Sequence, residues 1–221
     1  MSDETGRIIA DGYDRVADAY AALESPTDPW PRMRRVRRFV AGLPEGSSVL
    51  DLGCGNGLPA TRELSERHAV TAVDISAEQA ARARRNAPRA TVHCGDARDL
   101  RFPAGSFDAI LALYLIDNVP ARDYDALFTR LAGWLRPGGR LLLSAEPAEP
   151  EEDGVLHTWL GVPMLINGLP VDRLVTSVES SGLEVTEVEQ EEQREGGRAI
   201  TFVWITARKP PQDRPGGGNT I

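Results

Sequence analysis

Three glycines separated by single residues follow a carboxylate in the stretch VLDLGCGNG, residues 49–57. The glycines are Gly53, Gly55 and Gly57, and the carboxylate belongs to Asp51. Glycine at this density predicts a loop whose backbone approaches a ligand closely, because no Cβ stands in the way. A carboxylate just ahead of the loop repels a pyrophosphate. The stretch therefore favours a ligand that carries a cation, such as an ammonium or sulfonium group; the alternative is that Asp51 only hydrogen-bonds N–H groups of the loop.

The spacing of these glycines differs from that of a dinucleotide-binding loop. The dinucleotide pattern is G-x-G-x-x-G, and this chain has Leu58 where the third glycine of that pattern stands. NAD-dependent oxidoreduction is therefore kept only as an alternative. Cys54 lies inside the loop, but neither histidine nor lysine is near it in the sequence to activate it as a nucleophile.

Two further acids stand at the next two strand-like runs, Asp74 at the end of one and Asp96 just past the other. Asp74 stands where a carboxylate can accept both hydroxyls of a ribose, in NAD or in any other nucleoside. Asp96 could accept a hydrogen bond from the amino group of an adenine, or it could cap a short turn at 97–100. Because the carboxyl ends of parallel strands meet at one edge of a sheet, these acids and Asp51 predict one site. That site suits an adenosine with a positive charge and no phosphate.

Strand-like and helix-like segments alternate from residue 47 to residue 145. The strand-like runs are 47–52, 69–74, 90–94, 107–113 and 140–145, and the helix-like stretches are 58–67, 76–87 and 120–135. Ser76 is a good N-cap for the second of these helices. Short strands that are apolar on both faces are typical of a parallel sheet covered by helices on both sides. The pattern predicts a doubly wound α/β fold.

The alternation stops after residue 145. An acidic loop with prolines, 146–154, is followed by an apolar connection, 155–169, and by a helix near 170–181. LEVTEVEQ and AITFVWITA then predict two antiparallel strands joined through Gly196 and Gly197. Ahead of the sheet, 6–23 predicts an amphipathic helix.

Composition excludes several classes of protein. The chain has 221 residues, which suits one domain, and its net charge of −8 argues against a general nucleic-acid binder. Two cysteines are too few for a disulfide framework, and no apolar run is long enough to span a bilayer. The first residues, MSDETGR, contain no secretory signal. We expect a cytoplasmic protein, monomeric or homodimeric, without a nucleic-acid or membrane partner.

One basic run, RMRRVRRF at 32–39, interrupts this acidic composition. It could hold an acidic substrate. Lys209 is the only lysine, so arginine supplies nearly all the positive charge of the chain and the run carries little functional information. We favour a helix with Met33, Val36 and Val40 inward and its arginines in solvent.

These motifs together resemble those of the class I S-adenosylmethionine-dependent methyltransferases. VLDLGCGNG resembles the first motif of the family, VTAVDIS its ribose-binding strand end and GDARDL its adenine-side turn. FDAILALYLIDNV resembles the fourth-strand motif, and LRPGGRLLLS the turn into the fifth strand. The resemblance covers about residues 8 to 208. It implies a Rossmann-like, doubly wound seven-stranded sheet, mostly parallel with an antiparallel last strand, and S-adenosyl-L-methionine as cofactor.

The resemblance also implies which residues hold the cofactor. The glycines would line the methionine moiety, Asp74 and Ile75 the ribose, and Asp96 and Ala97 the adenine, whose amino group would reach the Leu113 carbonyl. A tyrosine pair on the first helix would close over the cofactor, or would simply face the core. The complete set is Tyr13, Tyr20, Asp51, Gly53, Cys54, Gly55, Gly57, Asp74, Ile75, Asp96, Ala97 and Leu113. We expect no metal.

Methyl transfer needs a general base only when the acceptor atom carries a proton at working pH. The catalytic candidates are His157, Tyr114 and Asp117, which lie after the fourth and fifth strands. His157 is otherwise a lid residue, and Asp117 otherwise caps the next helix. The predicted acceptor-binding residues are Trp30, Tyr114, Trp159, Val162, Met164 and Ile166. A connection as apolar as 155–166 either covers a ligand or packs on the core.

The sequence thus predicts a single methyltransferase domain over residues 1–208. N-terminal helices at 6–42 and a lid segment at 146–169 would flank its site, and 209–221 would form a disordered tail. The predicted reaction is methyl transfer to a small, largely apolar or aromatic metabolite of secondary metabolism. Two alternatives stay open, namely a fold-mate that uses the cofactor for cyclisation or decarboxylation, and a non-catalytic protein that only binds the cofactor.

Overall fold

A seven-stranded sheet forms the centre of the protein. The structure is a computed structural model, and it describes residues 4–23, 31–148, 154–195 and 198–211. The strands of the described residues are β1 (Ser48–Leu52), β2 (Ala69–Asp74), β3 (Thr91–Cys94), β4 (Phe107–Ala112), β5 (Leu135–Ala145), β6 (Val155–Trp159), β7 (Val162–Ile166), β8 (Glu184–Glu195) and β9 (Arg198–Arg208). Strands β6 and β7 pair only with each other and lie outside the seven-stranded sheet. The sheet order is β3-β2-β1-β4-β5-β9-β8, with β1 to β5 parallel and β9 antiparallel to both of its neighbours. The predicted mostly parallel sheet with an antiparallel last strand is confirmed.

Helices cover both faces of this sheet. They are α1 (Glu4–Leu23), α2 (Pro31–Val40), α3 (Ala60–Leu64), α4 (Ala77–Asn86), α5 (Tyr124–Trp134) and α6 (Val171–Ser180). Leu131 of α5 and Val178 of α6 pack on one face, and Val36 of α2 and Leu64 of α3 pack on the other. Ser76 caps α4 as predicted, because its hydroxyl oxygen accepts the Gln79 N–H at 3.0 Å.

The basic helix α2 corrects the prediction that its arginines face solvent. Met33 and Val36 are buried as expected, but Arg32 and Arg35 are also only 9% and 8% exposed. The exposed members are Arg34, Arg37 and Arg38. Arg35 tolerates burial because carboxylates of β8 bind its guanidinium.

The segment at 155–166 is a β-hairpin, formed by β6 and β7, rather than an irregular connection. Its two turn residues, Leu160 and Gly161, have φ values of 48° and 82°, as a two-residue turn of the tightest hairpins requires. The hairpin packs under α1, where Val162 and Met164 contact Val16. Part of this segment is therefore core, as one of the two sequence interpretations held.

Some predictions lie outside the described residues. They concern Trp30, the turn at Gly196 and Gly197, residues 149–153 of the lid segment and most of the tail, 212–221. Within the described ranges, no helix combines the length and the apolar character that crossing a membrane requires.

Candidate active site

The glycine loop lies at the carboxyl end of β1 and has little room for side chains. Gly53, Gly55 and Gly57 all have positive φ, at 72°, 55° and 80°. A Cβ on Gly57 would stand 3.0 Å from the Cα of Ala83 in α4, and a Cβ on Gly53 would stand 3.3 Å from the Leu115 side chain. Other residues would strain the backbone and displace these neighbours, so the local sequence is fixed by both conformation and space.

A cavity opens beside this loop, and we call it the glycine-loop cavity. It encloses about 830 Å³ of space, a figure that includes the solvent in its open mouth. The predicted cofactor residues that line it are Tyr13, Tyr20, Gly53, Cys54, Gly55, Asp74, Ile75, Asp96, Ala97 and Leu113. Asp51 and Gly57 are not among its lining residues.

Asp51 is buried behind the loop and does not order it. Its Oδ2 accepts the hydroxyl of Thr61 at 2.7 Å. The loop N–H groups of Gly53 and Cys54 donate instead to the Val73 carbonyl, at 2.8 and 3.1 Å. The alternative that Asp51 bonds the loop N–H groups is therefore wrong. Burial raises the pKa of Asp51, against the hydrogen bond from Thr61 and the nearby positive charge of Arg32.

Asp74 is the carboxylate that orders the loop. Its two oxygens accept the N–H groups of Gly55 at 2.8 Å and Ser76 at 2.9 Å. Burial raises the pKa of Asp74 to about 6, and the negative charges of Asp51 and Asp14 add to the rise. Each carboxylate oxygen can accept more than one hydrogen bond, so Asp74 keeps capacity for the hydroxyls of a ribose.

Asp96 forms the turn that one sequence interpretation expected. Its Oδ1 accepts the backbone N–H of Arg98 at 2.9 Å, and its Oδ2 accepts the Arg98 guanidinium at 2.7 Å. The same guanidinium reaches Asp123 at 3.1 Å. Asp96 also lines the glycine-loop cavity, so capping the turn and facing a ligand are compatible.

Cys54 lines the cavity but is not activated. Burial raises the pKa of its thiol well above the usual range, and the negative charges of Asp51 and Asp74 raise it further. The thiol therefore stays protonated and is a poor nucleophile, in agreement with the sequence interpretation.

Arg32 is a residue that the sequence analysis missed. It lines the glycine-loop cavity from α2, and its guanidinium lies 5.7 Å from the centroid of the Tyr114 ring. Its positive charge opposes the rise in the pKa of Asp51. The cavity thus has a cation at the glycine loop and carboxylates at the ends of β2 and β3. The signal was present as the arginine run, but helical periodicity does not show which arginine turns inward.

A second cavity, the hairpin cavity, lies between α1, the β6–β7 hairpin and the sheet. The predicted catalytic and acceptor residues that line it are Tyr114, Asp117, His157, Trp159, Met164 and Ile166. Val162 does not line it and packs beneath α1 instead. Four residues line both cavities, namely Tyr13, Tyr20, Tyr114 and Asn118. The two cavities therefore meet at these side chains.

Aromatic rings dominate this junction. Tyr13, Tyr20 and Trp159 contact one another, with ring centroids 6.0, 5.8 and 5.4 Å apart. The Asn118 amide donates to the Tyr13 hydroxyl and to the Tyr114 carbonyl, both at 3.2 Å. The two tyrosines thus pack against each other and also line the cavities. The interpretation that they face the core and the interpretation that they face a ligand are therefore compatible. Asn118 lay in the LIDNV stretch but received no role from the sequence.

Tyr114 is held firmly in place. Its φ of 53° is unusual for a residue with a side chain, and its N–H donates to the Ser144 hydroxyl at 2.9 Å. Its own hydroxyl donates to Oε1 of Gln193 at 3.0 Å, and its ring meets that of Phe202 edge to face at 4.9 Å. The ring is therefore a rigid wall between the two cavities.

Asp117 and His157 differ in their surroundings. The carboxylate of Asp117 accepts the N–H of Glu146 at 2.7 Å, which ties the turn after β4 to the end of β5. The interpretation that Asp117 caps the next helix is therefore wrong. His157 is an exposed residue of β6 on the rim of the hairpin cavity.

Comparisons with known proteins agree with this geometry. A family profile described as "Methyltransferase domain" matches residues 49–139. The 27-O-demethylrifamycin SV methyltransferase of Amycolatopsis mediterranei (strain S699) is 32% identical over 221 aligned residues, which cover 87% of this chain and 79% of that protein. Nocamycin O-methyltransferase of Saccharothrix syringae is 33% identical over 73% of this chain, which spans 58% of that relative.

Among solved structures, the DhpI–SAH complex superposes with a TM-score of 0.73 at 24% identity, covering 96% of this chain and all of that one. Fold, site and relatives together define an S-adenosylmethionine-dependent methyltransferase of class I. The chain belongs to that family, and its cofactor is S-adenosyl-L-methionine.

The lining of the glycine-loop cavity fits this cofactor chemically. A guanidinium matches the cofactor carboxylate, the carboxylates of Asp74 and Asp96 match its hydroxyls and amino groups, and Ile75, Ala97 and Leu113 supply apolar surface for the adenine. The loop also lacks the third glycine of the dinucleotide pattern, since Leu58 stands in its place. NAD is therefore not favoured.

Proposed function

We propose that this enzyme methylates a hydroxyl oxygen of a small, largely apolar or aromatic acceptor in the hairpin cavity. The observation that carries the proposal is the junction of the two cavities at Tyr13, Tyr20, Tyr114 and Asn118. A cofactor on one side and an acceptor on the other would meet there. Two relatives support oxygen as the acceptor atom, since their names describe O-methylation.

Within this proposal, the cofactor supplies a methyl group on a sulfonium, and its departure leaves S-adenosylhomocysteine. The chain aligns the acceptor and excludes water. Tyr114 and Asn118 line both cavities, at the place where cofactor and acceptor would meet. His157 takes the hydroxyl proton as the new oxygen–carbon bond forms. Tyr114 and Asp117 shape the wall, since their side chains already bond Gln193 and Glu146.

For the cofactor we propose that Arg32 binds the carboxylate, Asp74 the ribose hydroxyls, and Asp96 with Ala97 and Leu113 the adenine. The choice of Arg32 rests on its charge and its place. Arg98 carries the same charge but pairs with Asp96, the adenine-side acid, whereas the charge of Arg32 acts on Asp51, which lies behind the glycine loop.

An acceptor panel tests the reaction class. Purified enzyme is incubated with S-adenosylmethionine and matched phenols, aliphatic alcohols, amines and thiols, and both S-adenosylhomocysteine and methylated product are quantified. We expect product from apolar hydroxyl compounds. Transfer to amines or thiols alone would contradict oxygen as the acceptor atom. Cofactor turnover with a rearranged, unmethylated product would favour the cyclase alternative, and binding without turnover would favour the non-catalytic one.

Arg32→Met is expected to weaken S-adenosylhomocysteine binding by about 30-fold, because a charge-assisted hydrogen bond contributes about 1.5–3 kcal/mol. Binding of 5′-methylthioadenosine, which lacks the amino-acid moiety, is expected to change less than about threefold. Calorimetry with each ligand gives its dissociation constant for the wild type and the variant, and so the ratio of the two losses. The matched control is Arg37→Met, an exposed neighbour on the same helix whose ion pair is with Glu63. Equal losses for both ligands would contradict a carboxylate role.

Trp159→Ala is expected to raise the acceptor KM about tenfold, since aromatic anchors at the centre of a site carry much of the binding energy. Unlike the sequence interpretation, the structure has Trp159 in contact with Tyr13 and Tyr20, which also line the glycine-loop cavity. A smaller loss of cofactor affinity, about threefold, is therefore expected as well. Steady-state kinetics give both values. Leu156→Ala, on the same strand but 57% exposed, is the control, and equal effects of the two changes would refute the assignment.

A further inference from the structure

Ion pairs join α2 to the edge strand β8. Glu187, Glu189 and Glu191 are spaced by two residues, so their side chains project from the same face of β8. Their partners on α2 are Arg38 for Glu187, Arg35 for Glu189, and Arg34 with Arg35 for Glu191. We call this set of ion pairs the α2 latch.

Arg35 is the centre of the α2 latch. Its guanidinium donates twice to Oε2 of Glu191, at 3.0 and 2.7 Å, and once to Glu189. It also stacks over the Trp204 ring at 4.9 Å. Burial opposes the charge of Arg35, but the hydrogen bonds that it donates to Glu191 and Glu189, together with the negative charges of both, outweigh burial and hold the pKa of Arg35 above its usual value. Two carboxylates of β8 thus share the guanidinium of Arg35, with both Glu191 bonds ending on one oxygen.

Arg32 lies one helical turn before Arg35, so the two side chains share a face of α2. A continuous stack connects them through two rings. Arg35 covers Trp204, Trp204 meets Tyr114 edge to face at 5.8 Å, and Arg32 covers Tyr114 at 5.7 Å. Any rotation or sliding of α2 that releases Arg35 therefore also withdraws Arg32 from the glycine-loop cavity.

We propose that Glu189 and Glu191 are positioning residues for cofactor binding, because they hold α2 in the register that presents Arg32 to the cofactor carboxylate. The inference rests on the proposed role of Arg32. The two glutamates touch neither cavity, so they would act through Arg35 and the helix. Sequence alone gives them no function, since they lie in a run of acids on an edge strand.

The test compares two ligands that differ by the amino-acid moiety. Calorimetry gives the dissociation constants of S-adenosylhomocysteine and 5′-methylthioadenosine for the wild type and for the Glu189→Gln/Glu191→Gln variant. We expect the first constant to rise about tenfold and the second to stay within about twofold, because only the first ligand needs Arg32 in place.

The control is Glu63→Gln. It weakens a different ion pair of α2, in which Arg37 donates to the two carboxylate oxygens of Glu63 at 2.7 and 2.8 Å. Both residues of that pair are largely exposed, and it does not join β8. This variant is expected to leave both constants unchanged. If the double variant does not fold, Glu191→Gln alone is used. It removes two of the three bonds of Arg35 and leaves the one to Glu189, so a smaller rise of the first constant with an unchanged second constant is expected.

A double-mutant cycle separates positioning from general loosening. In an Arg32→Met background, the two glutamine substitutions are expected to change the ligand ratio no further. Three results would each overturn the latch. They are an equal loss of affinity for both ligands, an unchanged ratio of the two dissociation constants in the folded variant, and additive effects with Arg32→Met. If Arg32→Met itself leaves the ratio of the two dissociation constants unchanged, the proposed role of Arg32 at the cofactor carboxylate is contradicted. If Arg32→Met shifts the ratio and the glutamine variants do not, only the latch fails.

Discussion

Asp74→Asn lowers the affinity for S-adenosylhomocysteine by about 100-fold or more on this account. Two hydrogen bonds from ribose hydroxyls to a charged acceptor are weakened, each worth about 1.5–3 kcal/mol. The substitution keeps one oxygen acceptor, so one of the bonds from Gly55 and Ser76 can persist and the loop stays close to its present form. Calorimetry measures the affinity, and thermal unfolding without ligand checks the fold.

The wild type is expected to bind less tightly as pH falls through about 6, because Asp74 then takes up a proton and its carboxylate becomes a weaker acceptor. The sign for folding is opposite. Since the pKa of Asp74 is raised by folding from 3.8 to about 6, its contribution to stability falls as pH rises across that window. Asp74→Asn is expected to remove both dependences. Asp99→Asn, at an exposed position, is the control, and an unchanged affinity in folded Asp74→Asn would contradict the ribose role.

His157→Gln is expected to lower kcat by about 100-fold for an acceptor whose hydroxyl must lose a proton, in the lower part of the range for general bases. The pH dependence of the chemical step should change with it. Affinity for S-adenosylhomocysteine should stay unchanged, because His157 lines only the hairpin cavity. Rapid-quench kinetics over a pH series measure the chemical step directly.

His93→Gln is the matched control for this prediction, since His93 is an exposed histidine on β3 that lines neither cavity. A mild rise in KM with an intact pH profile would mean that His157 is a lid residue and no base. An acceptor that is already an anion at the working pH needs no base, so its kcat would also stay nearly unchanged in His157→Gln. Comparing phenols of different acidity therefore distinguishes the two cases.

The sheet and the glycine loop were predictable because their signals are local. Strands β1, β2 and β4 are apolar on both faces, and β2 ends at Asp74, whose carboxylate has an evident task. Positive φ at Gly53 and Gly57 follows from glycine itself. Here residue type alone carries the structural information, and no long-range partner is needed.

The roles of the α2 arginines depend on partners about 150 residues away in the chain. Arg35 and Glu191 are 156 residues apart, and nothing near Arg35 distinguishes it from Arg34 or Arg38. Amphipathic periodicity indicated the correct apolar face but treated all arginines as solvated. Burial of an arginine is decided by whether carboxylates reach it, which is a property of the tertiary fold.

The β6–β7 hairpin was missed for a different reason. Its turn has Leu160 at a position where hairpins prefer asparagine, aspartate or glycine, so the usual turn signal is absent. Alternation within HTW and PML was hidden by a generally apolar stretch. Gly161 was the one local sign of a tight turn, and it became informative only beside the pairing of Trp159 with Val162.

The central claim is that the glycine-loop cavity holds an adenosine with a cationic, carboxylate-bearing arm, and thermal unfolding with two ligands tests it most directly. S-adenosylhomocysteine at about 100 times its dissociation constant is predicted to raise the free energy of unfolding by about 2.7 kcal/mol, while NAD leaves it unchanged. The shift should shrink in Arg32→Met and Asp74→Asn. Stabilisation by NAD, or no shift with saturating S-adenosylhomocysteine, would contradict the account.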